Sequence, residues 1–420
     1  MKRALVFNGG GSRGAYEIGA WQALEELGVR FDGIYGTSIG ALNAALTAQG
    51  DLDRAMRIWD SITISQIMAV EDEEDFAIER MVSRKRDVLP FLVENAKHLR
   101  MDITPLEKLV REEIDEAKIR ASGKELGVMT FRPMQLQAVP MRLREMKPGQ
   151  LGDWVIASAS CFPIFPARHI DGQIYIDGGY YDNLPIDMAL EDGAEEIVAV
   201  ELHPDVTHPE YARMPWLTTI KPRHNLGGFL DFNPELLRRS RRMGYYDAMK
   251  CWRHFDGFLY TFRRVDPLEL GDAARRFMRA LTRFDGELAR RGTALGTRAG
   301  GAPLLAALEL ETQWQPLSWA GVWLRGLELC ASAMGFRVDA IYDAESLLRQ
   351  IADFCLAQEV KYAFDETGLR EASAAGKRAL LAWTVQYLVV NGDFAAGILQ
   401  RLAESPEITA AALFIQANRA

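Results

Sequence analysis

The run Arg3-Ala4-Leu5-Val6-Phe7-Asn8-Gly9-Gly10-Gly11-Ser12-Arg13-Gly14 is a short β-rich segment that ends in glycines. Ile18, Trp21, Leu24 and Leu27 follow at helical spacing and stop at Gly28, so the opening reads as strand, tight turn and helix. The unit repeats at once. Ile34 and Tyr35 form the centre of a second strand, Gly36-Thr37-Ser38-Ile39-Gly40 turns the chain, and Ile39 to Thr47 is a helix of small residues. Further strand-like runs lie at Met134 to Val139, Ile174 to Ile176 and Glu196 to Glu201. Alternating strands and helices predict an α/β fold, a mainly parallel sheet covered by helices on both faces.

That alternation stops near residue 205. Helical periods then follow at Leu236 to Cys251, Asp272 to Arg291, Leu304 to Glu311, Trp319 to Met334, Ala344 to Leu356, Gly376 to Val390 and Phe394 to Leu402. An α/β domain over 1–205 and a largely helical region over 206–420 are therefore expected, since 420 residues exceed what one core usually supports. Residues 52–120 are helical and charged, with an acidic cluster at Glu71 to Asp75 and a basic one at Arg84 to Arg86, and are expected as a helical cap. No repeat or low-complexity segment interrupts the chain.

Composition narrows the function. A net charge of -9 argues against a nucleic-acid partner and against chain-wide attraction to anionic lipid. Cys161, Cys251, Cys330 and Cys355 form no CxxC pair and read as buried thiols of a reducing compartment, which drops zinc ribbons and redox motifs. Ala4 to Phe7 is too short for a secretory apolar region. The longest apolar stretch noted, Ala379 to Val390, falls well short of the roughly 20 residues that span a bilayer. A cytoplasmic protein with at most peripheral membrane contact is expected.

Glycines where a strand enters a helix bare backbone N–H groups that can hold a phosphate or an oxyanion. Gly9, Gly11 and Gly14 also fit GxGxxG, but the dinucleotide fingerprint needs an acid at the end of the second strand. Asp32 lies at that strand's beginning, and its end carries Gly36-Thr37-Ser38 instead. Gly36 and Gly40 around Ser38 match a nucleophile elbow, whose sharp turn needs small residues two positions either side of the serine. GxSxG alone arises by chance in roughly one chain in seven of this length, so its place between strand and helix carries the weight.

A serine hydroxyl needs a base within hydrogen-bond reach. Of six histidines, His169 and His203 stand at expected strand ends, and a Ser-His-Asp triad through either stays open. Asp177 is the other candidate. It ends the run Ile174-Tyr175-Ile176 and enters the turn Gly178-Gly179, and convergence of strand ends on one sheet edge would bring it to Ser38 across 139 positions. Burial there would raise its pKa and make it a better base.

Gly9-Gly10-Gly11-Ser12-Arg13-Gly14, Gly36-Thr37-Ser38-Ile39-Gly40 and Asp177-Gly178-Gly179, in this order, resemble the three blocks of the patatin-like phospholipases. The resemblance covers about residues 1–205, and Asn183-Leu184-Pro185 continues it. It implies a lipid acyl hydrolase with Ser38 as nucleophile, Asp177 as the second member of a dyad, and the N–H groups of Gly9, Gly10 and Gly11 as oxyanion hole. It implies Arg13 and Gly14 as supports of that loop, no metal or other cofactor, and a phospholipid or other acyl-lipid substrate. The family often has Asp or Ser before the glycines, whereas Asn8 stands here, and a changed turn hydrogen bond is the expected consequence. A soluble esterase or thioesterase with the same dyad, and a binding module without turnover, are the alternatives. In the second half, Arg238, Arg239, Arg241 and Arg242 are expected as a solvated helix face against acidic neighbours, and the tryptophans as core.

Overall fold

β1 (Arg3–Phe7) and β2 (Gly33–Thr37) alternate their side chains across a sheet because successive residues of a strand point to opposite faces. Ala4, Val6 and Tyr35 pack against Ile186, Met188 and Ala189 on one face. Leu5, Phe7, Ile34 and Gly36 point the other way, toward helix α2 (Ile39–Gln49), whose Gly40 carbonyl lies 2.2 Å from where a Cβ on Gly36 would stand. The sheet is therefore covered on both faces, as expected.

A computed structural model describes residues 1–69, 101–291, 302–308, 311–312, 315–316, 318–359 and 361–419. After β1 comes α1 (Ala15–Glu26); after α2 come α3 (Leu52–Ser61), α4 (Thr104–Glu113) and α5 (Glu116–Ala121). The chain continues through β3 (Glu125–Arg132), β4 (Gln137–Arg142), α6 (Leu151–Ser158), β5 (Arg168–Ile170), β6 (Gln173–Asp177), α7 (Ile186–Glu191), β7 (Glu196–Val200), β8 (Leu217–Ile220) and α8 (Pro234–Cys251). Strand order is β5-β6-β3-β2-β1-β7-β8, with β4 also on β3. The run β3-β2-β1-β7-β8 is parallel, and β4, β5 and β6 are antiparallel additions.

Of the strand expected at Met134 to Val139, Gln137 to Val139 lie in β4, while Met134 to Leu136 belong to the reversal of a hairpin, because β3 ends at Arg132 and β4 begins at Gln137. Pro133 has no N–H for a ladder, and Leu136 takes a left-handed φ of 50°. Of the expected cap, α3, α4 and α5 pack into this first unit, while Glu71 to Asp75, Arg84 to Arg86 and His98 lie outside the described residues.

The first compact unit runs from Met1 to Trp252, further than the boundary near residue 205. The reason is α8, which crosses α1 at backbone contact: a Cβ on Gly19 would stand 1.8 Å from the Arg241 carbonyl, and one on Gly244 1.9 Å from that of Tyr16. Within α8, Arg241 pairs with Asp60, the acidic neighbour expected for that face. The second unit, Arg253–Ala420, is largely helical around Phe277, Trp323, Leu327 and Phe414. The expected helix at Leu304 to Glu311 is shorter, Pro303–Ala307, and Glu366–Ala374 and Pro406–Ala417 are helices beyond those expected. Trp323 and Trp383 are core, Trp319 is exposed, and Trp314 lies outside the described residues. All four cysteines are free; Cys330 and Cys355 are buried, Cys161 is half-buried, and Cys251 is exposed, contrary to expectation.

Candidate active site

Ser38 sits between β2 and α2 at φ 56° and ψ −125°, a region that side-chain-bearing residues rarely occupy and that costs about 1–3 kcal/mol to hold. Three contacts hold it. Gly36 and Gly40 let the backbone fold onto itself, since a Cβ on Gly40 would stand 2.7 Å from the Asn8 carbonyl. The Ser38 N–H donates to Ser158 Oγ at 2.9 Å, and that hydroxyl donates to the Met129 carbonyl at 2.6 Å. The Thr37 hydroxyl donates to the Asp182 carbonyl at 3.0 Å.

Asp177 reaches Ser38 by another route than converging parallel strand ends. β3 pairs Met129 with Thr37 on parallel β2, and its next residue, Thr130, pairs with Asp177 on antiparallel β6. The sheet register thus sets the two residues at one level. The Asp177 carboxylate accepts the Gly179 N–H at 2.8 Å and hydrogen-bonds the Ser38 side chain. Burial pushes the carboxyl up to about 6, against the opposing pull of the Gly179 amide and the Ser38 hydroxyl. Gly178 is needed beside it, as a Cβ there would stand 2.3 Å from the Met129 carbonyl.

The glycine loop faces the same space, but its three amides differ. Gly9 N–H donates to the Asn183 carbonyl at 2.9 Å, so it is already committed. Among the described residues Gly10 and Gly11 have no such acceptor, and Gly11 takes φ +60° with the Phe229 carbonyl 2.0 Å from where its Cβ would be. Of the three amides expected to form an oxyanion hole, that of Gly9 is thus taken up by Asn183. Among the described residues Arg13 forms no ion pair: its Nε donates to the Gly227 carbonyl at 2.9 Å, and Nη1 lies 3.2 Å from the His203 ring nitrogens. It ties the loop to the segment 203–227. Gly14 leaves room for the Trp59 ring, 2.9 Å from a Cβ there.

Asn8 does more than adjust a turn. It is buried, and its amide donates to Glu201 Oε2 at 2.8 Å while its oxygen accepts from Asn183. Glu201 also accepts the Thr207 N–H and hydroxyl, and burial raises its pKa. Of the candidate histidines, His169 is exposed, and His203 lines the cavity beside Arg13. His208 bridges Asp182 and Glu210, which hold its pKa up at about 9.

Ser38, Asp177 and the glycines open onto a cavity of about 450 Å³. Ile39, Leu42, Ile67, Leu106, Val110, Val155, Ile156, Phe165, Phe229, Leu230 and Phe232 make its wall almost wholly apolar, within the usual size of small-molecule sites. Among the described residues, no three His, Cys, Asp or Glu side chains gather as a metal site, and no helix is long and apolar enough to cross a membrane.

A patatin-like phospholipase family profile matches residues 5–190, which contain all three motifs and both Ser38 and Asp177. This part of the chain is similar to the patatin-like phospholipases. It is 29% identical over 206 residues to patatin-like phospholipase domain-containing protein 7 of Rattus norvegicus, covering 47% of this chain and 13% of that protein. It is also 28% identical over 280 residues to lysophospholipase NTE1 of Coccidioides immitis, covering 64% of this chain and 16% of that protein. The chain thus spans about one-seventh of the length of these relatives. Two solved structures are similar at lower identity. VipD from Legionella pneumophila shares 14% (TM-score 0.41, 99% of this chain, 90% of that one), and ExoU in its complex with SpcU from Pseudomonas aeruginosa shares 16% (TM-score 0.34, 92% and 77%).

The patatin-like site uses residues that the motifs did not point to. Ser158 holds the elbow amide, Asn183 clamps the glycine loop, and Glu201 anchors Asn8. Only Asn183 carried a signal, as part of the family's Asn-Leu-Pro continuation.

Proposed function

We propose that this chain is a lipid acyl hydrolase in which Ser38 and Asp177 act as a catalytic dyad through an acyl-enzyme. The observation that carries this reading is the Ser38 hydroxyl hydrogen-bonded to a buried carboxylate at an apolar cavity. Asp177, ionised, takes the proton as Ser38 Oγ attacks the acyl carbonyl, and returns it to the leaving alcohol or lysolipid. The Gly10 and Gly11 amides face the developing oxyanion, where removal of one donor typically costs about 100 to 1000-fold in turnover. Water activated by Asp177 then releases the fatty acid from Ser38. The apolar wall favours a long acyl chain over a small ester, because each buried CH₂ contributes about 0.8 kcal/mol. A cytoplasmic enzyme working peripherally at a membrane fits this substrate.

The test is fatty-acid release from mixed phospholipid vesicles in EDTA by the protein and by Ser38→Ala. Release by the parent alone supports the proposal; equal release by both would refute the role of Ser38. Hydrolysis confined to short soluble esters would move the substrate assignment to the esterase reading.

A further inference from the structure

β3 does not stop at the level of the site. Thr130 is level with Asp177, yet β3 and β4 stay paired to Arg132 and Gln137 and close through Pro133-Met134-Gln135-Leu136. At about 3.3 Å per residue, Arg132 stands on the order of 7 Å beyond Thr130 along the strand, and the turn 133–136 follows it. The hairpin therefore projects past the sheet edge that carries Ser38.

Its tip is built against ordinary folding preferences. Met134 and Leu136 are 79% and 80% exposed, among the most exposed large apolar side chains of the chain. Leu136 closes the turn with its N–H 3.4 Å from the Pro133 carbonyl, at φ 50°. Hairpin positions of that conformation favour glycine or asparagine, because a Cβ clashes there. The chain thus holds a leucine where the backbone is strained and water surrounds the side chain. Neither cost is returned within the free protein.

From residue 133 to residue 141 the hairpin carries no charge, and Arg132 sits behind the tip with its guanidinium 5.1 Å from the Tyr175 ring centroid. Beside the site, the turn after Asp177 exposes Tyr180, which also lines the cavity, and Tyr181. Tyrosine is the side chain that settles at the boundary between headgroups and hydrocarbon.

We propose that the β3–β4 hairpin tip inserts Met134 and Leu136 into a phospholipid surface, with Tyr180 and Tyr181 at headgroup level, and so sets the cavity mouth against its substrate. This rests on the reading of Ser38 and Asp177 as a lipid hydrolase. A four-residue convex turn offers too little area for a stable protein partner, which needs roughly 800 Å² per side. It suits insertion of about 5–10 Å into a bilayer boundary. With a net charge of -9 on the chain and no charge on the tip, the surface it fits is zwitterionic, and salt has little effect on docking.

The experiment is flotation with phosphatidylcholine vesicles at low and high NaCl, in a Ser38→Ala background so that products do not accumulate. Met134→Ser with Leu136→Asn should weaken partitioning at least ten-fold at both salt concentrations. Leu136→Asn alone should leave the melting temperature unchanged or raise it, since asparagine tolerates that φ. With Ser38 intact, the double variant should hydrolyse a short soluble ester within two-fold of the parent. Unchanged partitioning by the double variant, or no binding by the parent, would overturn the proposal. So would an equal loss of soluble-ester hydrolysis. The vesicle arm needs no turnover, so absence of hydrolysis from every protein would count against the dyad and not against the tip.

Discussion

Asn183 and Gly9 are bonded to each other twice: the Gly9 N–H donates to the Asn183 carbonyl at 2.9 Å, and the Asn183 side-chain amide donates back to the Gly9 carbonyl at 2.8 Å. The side-chain Oδ1 of Asn183 lies 2.3 Å from where a Cβ on Gly9 would stand and 2.7 Å from one on Gly179. One side chain thus fits between the glycine loop and the turn after Asp177, and both glycines are bare because it does. Asn183→Ala should remove the clamp and lower kcat about ten-fold or more, with a stability loss of about 1–3 kcal/mol. Steady-state kinetics with denaturant unfolding measures both.

Gly11→Ala should be worse than Gly10→Ala. The first puts a Cβ 2.0 Å from a backbone carbonyl at positive φ, while the second meets the movable Leu202 side chain at 2.7 Å. Loss of about 100-fold or more in kcat is expected for Gly11→Ala, and less for Gly10→Ala.

Asp177 gives the pH dependence its direction. As a base with a pKa of about 6, it should make kcat/KM rise with pH through 6 and level off above 7. Stability runs the other way. Below pH 3.8 the folded and unfolded chains both hold this proton; between about 4 and 6 only the folded chain does, so stability falls as pH rises, and above 6 the penalty is constant. At about 1.4 kcal/mol per pH unit it reaches up to about 3 kcal/mol. Asp177→Asn should therefore abolish turnover yet unfold at a higher temperature than the parent at pH 8, and calorimetry would show it.

Asn8 gives the loop its anchor on Glu201. Asn8→Asp would set a second carboxylate against Glu201 Oε2, costing about 2–4 kcal/mol at pH 8 and less at pH 5. Adding Glu201→Gln should restore stability by returning one donor to the pair. Unfolding of the single and double variants across pH measures this.

Ser158→Ala would leave the strained Ser38 amide without its 2.9 Å acceptor. Kinetics should show kcat falling about ten-fold, with KM nearly unchanged, because the elbow and not the cavity is loosened.

Sequence made the parallel core and the three motifs legible because each depends on local chemistry: glycines where backbone must approach backbone, and apolar alternation in strands. It also placed Ser38 at its elbow. The antiparallel β6 was not legible, since a short apolar run does not reveal the direction of its partner. Nor was the committed Gly9 amide, because its acceptor lies 174 positions away at Asn183. Ser158 and Glu201 escaped for the same reason, as one polar residue on a helix or at a strand end carries no mark of what it will touch. The inclusion of α8 in the first unit was not legible either, because the Gly19–Gly244 crossing of α1 and α8 has no local signature.

The central claim is that Ser38 is a nucleophile activated by Asp177. Intact-mass and peptide mapping after reaction with a fluorophosphonate tests it most directly, comparing the parent with Asp177→Asn and His203→Ala. One adduct per chain is expected, on Ser38, formed at parental rate in His203→Ala and at least 100-fold more slowly in Asp177→Asn. No adduct, an adduct on another residue, or dependence on His203 in place of Asp177 would contradict it.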